Sequence, residues 1–123
     1  MSLIKITALG LLLGSTYAAA GDCVAPAAPT IPDGSSSTME QMIAGQTAVK
    51  AFQAANIDYM ACLEPAMTAA DKRLKKSSGD EKAAAEASYD ETQATYNAAV
   101  SAEEEVAGQF NAAIRVYKAA NPG

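Results

Sequence analysis

The sequence predicts an all-α fold: an antiparallel two-helix hairpin with an extended, Pro-rich N-terminal arm pinned to the first helix by a disulfide. Three observations predict it. Residues 39–76 are rich in Ala, Gln, Met and Lys, and in both 39–76 and 80–119 the bulkier apolar side chains recur at the period of about 3.6 residues that marks a helix. Ser77-Ser78-Gly79 between them is a stop short enough to force an antiparallel return. Ahead of both, the stretch Cys23 to Gly34 carries Pro26, Pro29 and Pro32, and the chain's two cysteines, Cys23 and Cys62, fall one in this stretch and one in the first helix.

Residues 1–20 read as a signal peptide. Lys5 supplies the positive start, Ile6 to Leu13 a short apolar run, and Ala18-Ala19-Ala20 a small-residue cleavage site. The run is shorter than the roughly 20 residues needed to span a bilayer, so no transmembrane segment is expected after cleavage. The mature chain then starts at Gly21 and lies in the periplasm or outside the cell. An oxidising compartment lets thiols pair, which makes Cys23–Cys62 the expected disulfide. Two structural thiols or a redox pair are the alternatives, and the redox reading lacks a C-x-x-C spacing and a cationic activator.

Residues 21–38 form the arm, its turn and a helix cap. Three prolines fix φ and remove donors, which favours a polyproline-like path and forbids a helix. Pro32-Asp33-Gly34 has the chemistry of a tight turn. Ser37 with Glu40, and Thr38 with Gln41, both match the spacing of a capping box at a helix start. The first helix runs from Met39 to the Lys75-Lys76 region with Met42, Val49, Phe52, Tyr59, Met60, Leu63, Met67 and Leu74 on its apolar stripe. Pro65 predicts a kink or break between Cys62 and Pro65, because proline removes one N–H and crowds the preceding turn. Ser78 with Glu81 repeats the capping spacing. The second helix follows to Ala119 with Tyr89, Tyr96, Val100, Val106, Phe110, Ile114 and Tyr117 on one face, and residues 120–123 form a C-terminal tail.

Lengths make the arm's position specific. From Thr38 to Cys62 a helix rises about 36 Å, and the return from Thr38 to Cys23 spans up to about 46 Å as polyproline. The arm therefore reaches Cys62. It is expected to fold back at the turn, lie along Ala44, Ala48, Ala51 and Ala55, and be fastened at Cys62. Closing a loop of this size contributes about 4 kcal/mol on the chain-entropy estimate, a large share for a two-helix protein.

The pieces Ile31-Pro32-Asp33-Gly34, Gln46-x-Ala48-Val49-Lys50-Ala51-Phe52, Tyr59-x-x-Cys62-Leu63 and Phe110-Asn111-x-x-Ile114-Arg115-x-Tyr117-Lys118, in that order behind a signal peptide, resemble a group of small exported proteobacterial proteins. The resemblance covers most of the mature chain and implies export, a helical hairpin and a Gram-negative periplasm. It implies no activity, ligand or site residue.

Composition narrows the function classes. The 123 residues include no His, which removes the commonest general base, the Ser-His and Cys-His nucleophile pairs and the usual nitrogen ligand of zinc or haem. The formal net charge is −5, and loss of Lys5 with the leader leaves 8 basic against 14 acidic residues, which argues against nucleic acid as a partner. No enzymatic activity, cofactor or metal is expected.

Three candidate sites remain. Lys72, Arg73, Lys75 and Lys76 form a basic tip at the hairpin's closed end. Cations there complement the helix dipole, and the competing reading is contact with an anionic envelope surface. Glu103 lies seven residues from both Tyr96 and Phe110, on the apolar stripe, with Gln53 and Asn56 opposite. A polar seam of Glu103 with Gln53 or Asn56 is expected to set helix register, against a simple snorkelling side chain. Tyr59, Tyr89, Tyr96 and Tyr117 either fill a low-volume seam or offer an aromatic surface to a ligand.

Two functions from different classes fit. One is a non-enzymatic exported binding or scaffold module, with Met39, Met42, Met60 and Met67 as adaptable contacts to a protein partner or a second hairpin. The other is a structural envelope or filament subunit that self-associates through Ala-rich helices. Closed assembly gives a fixed mass, whereas open contact grows without limit.

Overall fold

The computed structural model describes residues 22–123. The signal peptide and cleavage site expected from the sequence lie outside the described residues. Two helices, α1 (Met39–Lys76) and α2 (Asp80–Ala120), pack antiparallel along their length. Among the described residues no helix is long and apolar enough to cross a membrane.

Thr38 starts α1. Its hydroxyl accepts the Gln41 N–H at 3.2 Å, and the Gln41 side chain accepts the Thr38 N–H at 2.8 Å, so of the two possible capping boxes the chain uses the second. The helix then runs through Pro65 without the break expected between Cys62 and Pro65. Pro65 and Ala61, whose carbonyl loses its helical partner, are both exposed, so the site of the missing bond lies on the solvent face of the helix. Leu63 and Ala70, buried on either side, hold the turns together.

The connection differs from expectation in one respect. Ser77 closes α1, its N–H donating to the Leu74 carbonyl and its hydroxyl to the Arg73 carbonyl at 2.6 Å. The cap of α2 is then Gly79, at φ 60°, and Ser78 makes no capping hydrogen bond. A three-residue return needs a left-handed residue just before α2, and glycine takes that conformation without strain.

Packing divides the hairpin in two. Near the closed end the helices approach on small side chains, with Ala70 and Ala85 buried. At the open end lies the main apolar cluster of Met42, Val49, Phe52, Val106, Phe110 and Ala113, joined by Ile31 from the arm and by Ala102, Ile114 and Tyr117. Val100, expected on the seam, is 36% exposed, and Ala99 is buried in its stead. Met42 is likewise a core residue and not a surface contact.

Cys23 and Cys62 form a disulfide with their Cα atoms 5.8 Å apart. The arm, Cys23 to Asp33, contains no helix or strand. Its far end seats Pro32 against Gly45, where an added Cβ would come within 2.8 Å of the proline ring. Gly45 to Cys62 covers about 26 Å of helix, and the nine steps from Pro32 back to Cys23 cover about 28 Å as polyproline. The arm is therefore drawn out nearly to its full length.

Candidate contact surfaces

One step along each helix decides which side of the hairpin a residue faces. Successive residues turn by about 100° around a helix, and because α1 and α2 run in opposite directions, the residue following a seam position points to the same side on both. The residue preceding a seam position points to the other. Cys62, just before buried Leu63, and Val116, just before the core residue Tyr117, mark the arm's side. Ile43, Ile57 and Val100, just after Met42, Asn56 and Ala99, mark the opposite, open side.

On α1 the arm's side is built from small residues, and on α2 it carries Val116, 45% exposed. Ala44, Ala48, Ala51 and Ala55 all face it, but the arm does not cover all four as expected. Pro32 and Thr30 line a solvent-open groove with Ala44, Gly45 and Ala48, and of the four alanines only Ala48 is half-buried, while Ala44, Ala51 and Ala55 are exposed. The missing partner is α2. At the turn, buried Gly34 lies so close to α2 that a Cβ would meet the Ala113 carbonyl oxygen and stand 2.7 Å from the Tyr117 amide nitrogen. The turn thus bridges both helices. It is held locally by Asp33, whose Oδ1 accepts the Ser35 hydroxyl at 2.7 Å and the Ser35 N–H at 2.9 Å. Those two bonds, the hydroxyl first, hold the Asp33 carboxyl below its ordinary value of 3.8.

The polar residues of the seam meet in part. Asn56, 1% exposed, is the largest fully buried side chain; its Nδ2 donates to the Ala99 carbonyl at 2.9 Å and to Glu103 Oε2 at 3.4 Å. Gln53 is half-buried and takes no part in either bond. The bond to Ala99 ties a side chain of α1 to the backbone of α2, which makes Asn56 sensitive to sliding of one helix past the other.

The four tyrosines do not form one surface. Each is half-buried, but Tyr117 lies about 31 Å along α2 from Tyr96 and belongs to the open-end cluster. Tyr89 accepts a hydrogen bond from Gln93 Nε2 at 3.0 Å. At the closed end Lys72, Arg73, Lys75 and Lys76 are all exposed. The Asp71 carboxylate, 2.7 Å from Lys75 Nζ, accepts its hydrogen bond and raises the ammonium pKa. Arg73, Lys75 and Lys76 occupy the last turn of α1, and Asp80 and Glu81 the first of α2, each with the sign the helix dipole favours.

The open side carries the largest exposed apolar groups on the hairpin's flank. Ile57 is 57% exposed and Ile43 55%, and half-buried Tyr96, Met60 and Met67 stand beside them. The apolar stripes read from the sequence pass over Ile43 and Ile57. Their signal was their offset: each follows a seam position by one residue, so each is too bulky and apolar for the solvated flank it occupies. Among the described residues no group of three or more His, Cys, Asp or Glu side chains is gathered to hold a metal ion.

These features define a disulfide-pinned helical hairpin with one side partly covered by the arm and one side open. Compared with known proteins, the chain matches no family model, no curated protein and no solved structure.

Proposed function

We propose that the chain is a non-enzymatic, exported contact module of the periplasm, working through the side of the hairpin that its arm leaves open. The observation that carries this reading is the asymmetry of the two sides. The arm lies along the Ala-rich side, while Ile43, Ile57 and Val100 face solvent on the other. A hairpin with nothing to bind gains by making both flanks polar, because exposed apolar side chains cost solubility. The paired cysteines suit an oxidising compartment. They also fix the arm and α1 relative to one another before any partner arrives, which lowers the ordering cost of binding.

Site-specific photo-crosslinking in the exporting cell tests the reading. A photoreactive side chain at Ile57 or Val100 should give discrete adducts, with a second copy or with another protein, and the same group at Ala55 should give none. Equal capture from Ala55, or no capture from the open side, would sink the proposal.

A further inference from the structure

We propose that the occupant of the open side is a second copy of this chain, docked face to face and antiparallel about a twofold axis through Ile57 and Val100. This deepens the contact-module reading and rests on it.

The two residues stand at matching places. Eighteen residues of α1 precede Ile57 and nineteen follow it; twenty residues of α2 lie on each side of Val100. Both are exposed, both point to the open side, and the helices place them level with each other, since their neighbours Asn56 and Ala99 are hydrogen-bonded across the seam. A twofold axis through them and perpendicular to the helices overlaps the two hairpins along their whole length. The open side then offers about 57 Å by 20 Å, or roughly 1,100 Å² per copy, more than the roughly 800 Å² per partner typical of a stable interface.

Near its centre, charge agrees with that axis. Lys50 and Glu64 lie seven residues before and after Ile57, are exposed, and follow the buried positions Val49 and Leu63, so both face the open side. The twofold therefore sets Lys50 of each copy opposite Glu64 of the other, making the pair twice. On α2 the same axis brings Tyr96 of one copy opposite Glu103 and Glu104 of the other. The Tyr96 hydroxyl thus becomes a donor for the half-buried Glu103 carboxylate, whose bond to Asn56 is long at 3.4 Å. The same axis sets Lys118 opposite the second copy's Lys82, also twice, and Ile43 opposite Asp71; these oppositions lie 14 to 18 residues from the axis, toward the helix ends, and oppose the pairing at the centre. The parallel alternative sets the two basic tips, Lys72, Arg73, Lys75 and Lys76, side by side. The antiparallel arrangement sends them to opposite ends.

Sedimentation equilibrium of the purified, oxidised protein tests the proposal, with helical circular dichroism confirming that each variant is folded. The parent should be a dimer in the micromolar range that does not grow further. Lys50→Glu, which replaces two attractions by two repulsions, should weaken association at least roughly tenfold, and adding Glu64→Lys should restore it. Ile57→Glu should give a monomer. A monomeric parent, a dimer indifferent to Ile57→Glu, or a Lys50→Glu loss that Glu64→Lys does not restore would each overturn the inference. Foreign adducts at Ile57 from a monomeric protein would overturn the second copy while leaving the contact module standing.

Discussion

Replacing Gly34 by Ala adds one methyl group where the arm's turn meets α2. A Cβ at that point stands 2.7 Å from the Tyr117 amide nitrogen, 3.0 Å from Val116 Cβ, and nearer still to the Ala113 carbonyl oxygen. Two of these atoms are helix backbone and cannot give, so the turn must lift by on the order of 1 Å from a close-packed contact. Lifting it draws Ile31 out of the cluster of Phe110, Ala113 and Tyr117. Half the burial of an isoleucine is about 1 kcal/mol, and overpacking adds about 1–2 kcal/mol. The disulfide keeps the rest of the arm in place, so the total loss is about 2–3 kcal/mol, or about 10–20 °C in Tm for a two-state domain near 100 residues. Gly108→Ala is the matched control: a Cβ there meets nothing within 4 Å, and the change should stabilise α2 by about 0.5–1 kcal/mol. Thermal and urea unfolding followed by circular dichroism under non-reducing conditions measures both. A Gly34→Ala protein as stable as the parent, beside a stabilised Gly108→Ala protein, would refute the seating of the turn on α2.

Three further outcomes follow from the same geometry. Cys62→Ser opens a loop spanning 39 residues of sequence separation and should lower stability by about 4 kcal/mol; denaturant unfolding of oxidised parent and variant measures the difference. Asn56→Ala removes the buried donor to the Ala99 carbonyl and leaves a cavity, at a cost of about 2 kcal/mol, and an unchanged urea midpoint would contradict it. Asp33 has a folded pKa lowered from 3.8, so the stability it contributes is complete above the unfolded value and is lost as pH falls through the lower folded value. The Ser35 amide resonance should therefore shift with acid below about pH 4 in the parent and not in Asp33→Asn.

What could be read in the sequence was what repeats or is locally encoded. The helical period, the prolines of the arm, the Thr38 cap and the two cysteines each act over a few residues or by simple pairing, and each leads to the fold observed. The departures come from tertiary choices between neighbours. Val100 and Ala99 are equally compatible with helix, and only the packing of α1 against α2 selects alanine. Ser78 and Gly79 both suit a helix start, and the handedness of the return selects glycine. Pro65 survives inside α1 because packing puts the proline on the solvent side. The arm's seat was half legible: chain lengths place its path beside α1, but no local signal announces that Gly34 also rests on α2. The Glu103–Asn56 contact followed from heptad spacing, whereas the omission of Gln53 is decided by side-chain geometry that spacing does not encode.

The location of the main cluster at the open end bears on the order of folding. Cys23 and Cys62 both precede α2 in the chain, so they can pair before α2 is in place, whereas Phe110, Ala113 and Tyr117 come near the C-terminal end of α2. The longest loop closure is therefore left until last, and the arm with α1 waits as a half-built template for it. A chain stopped after Val106 should still oxidise, yet melt without a cooperative transition.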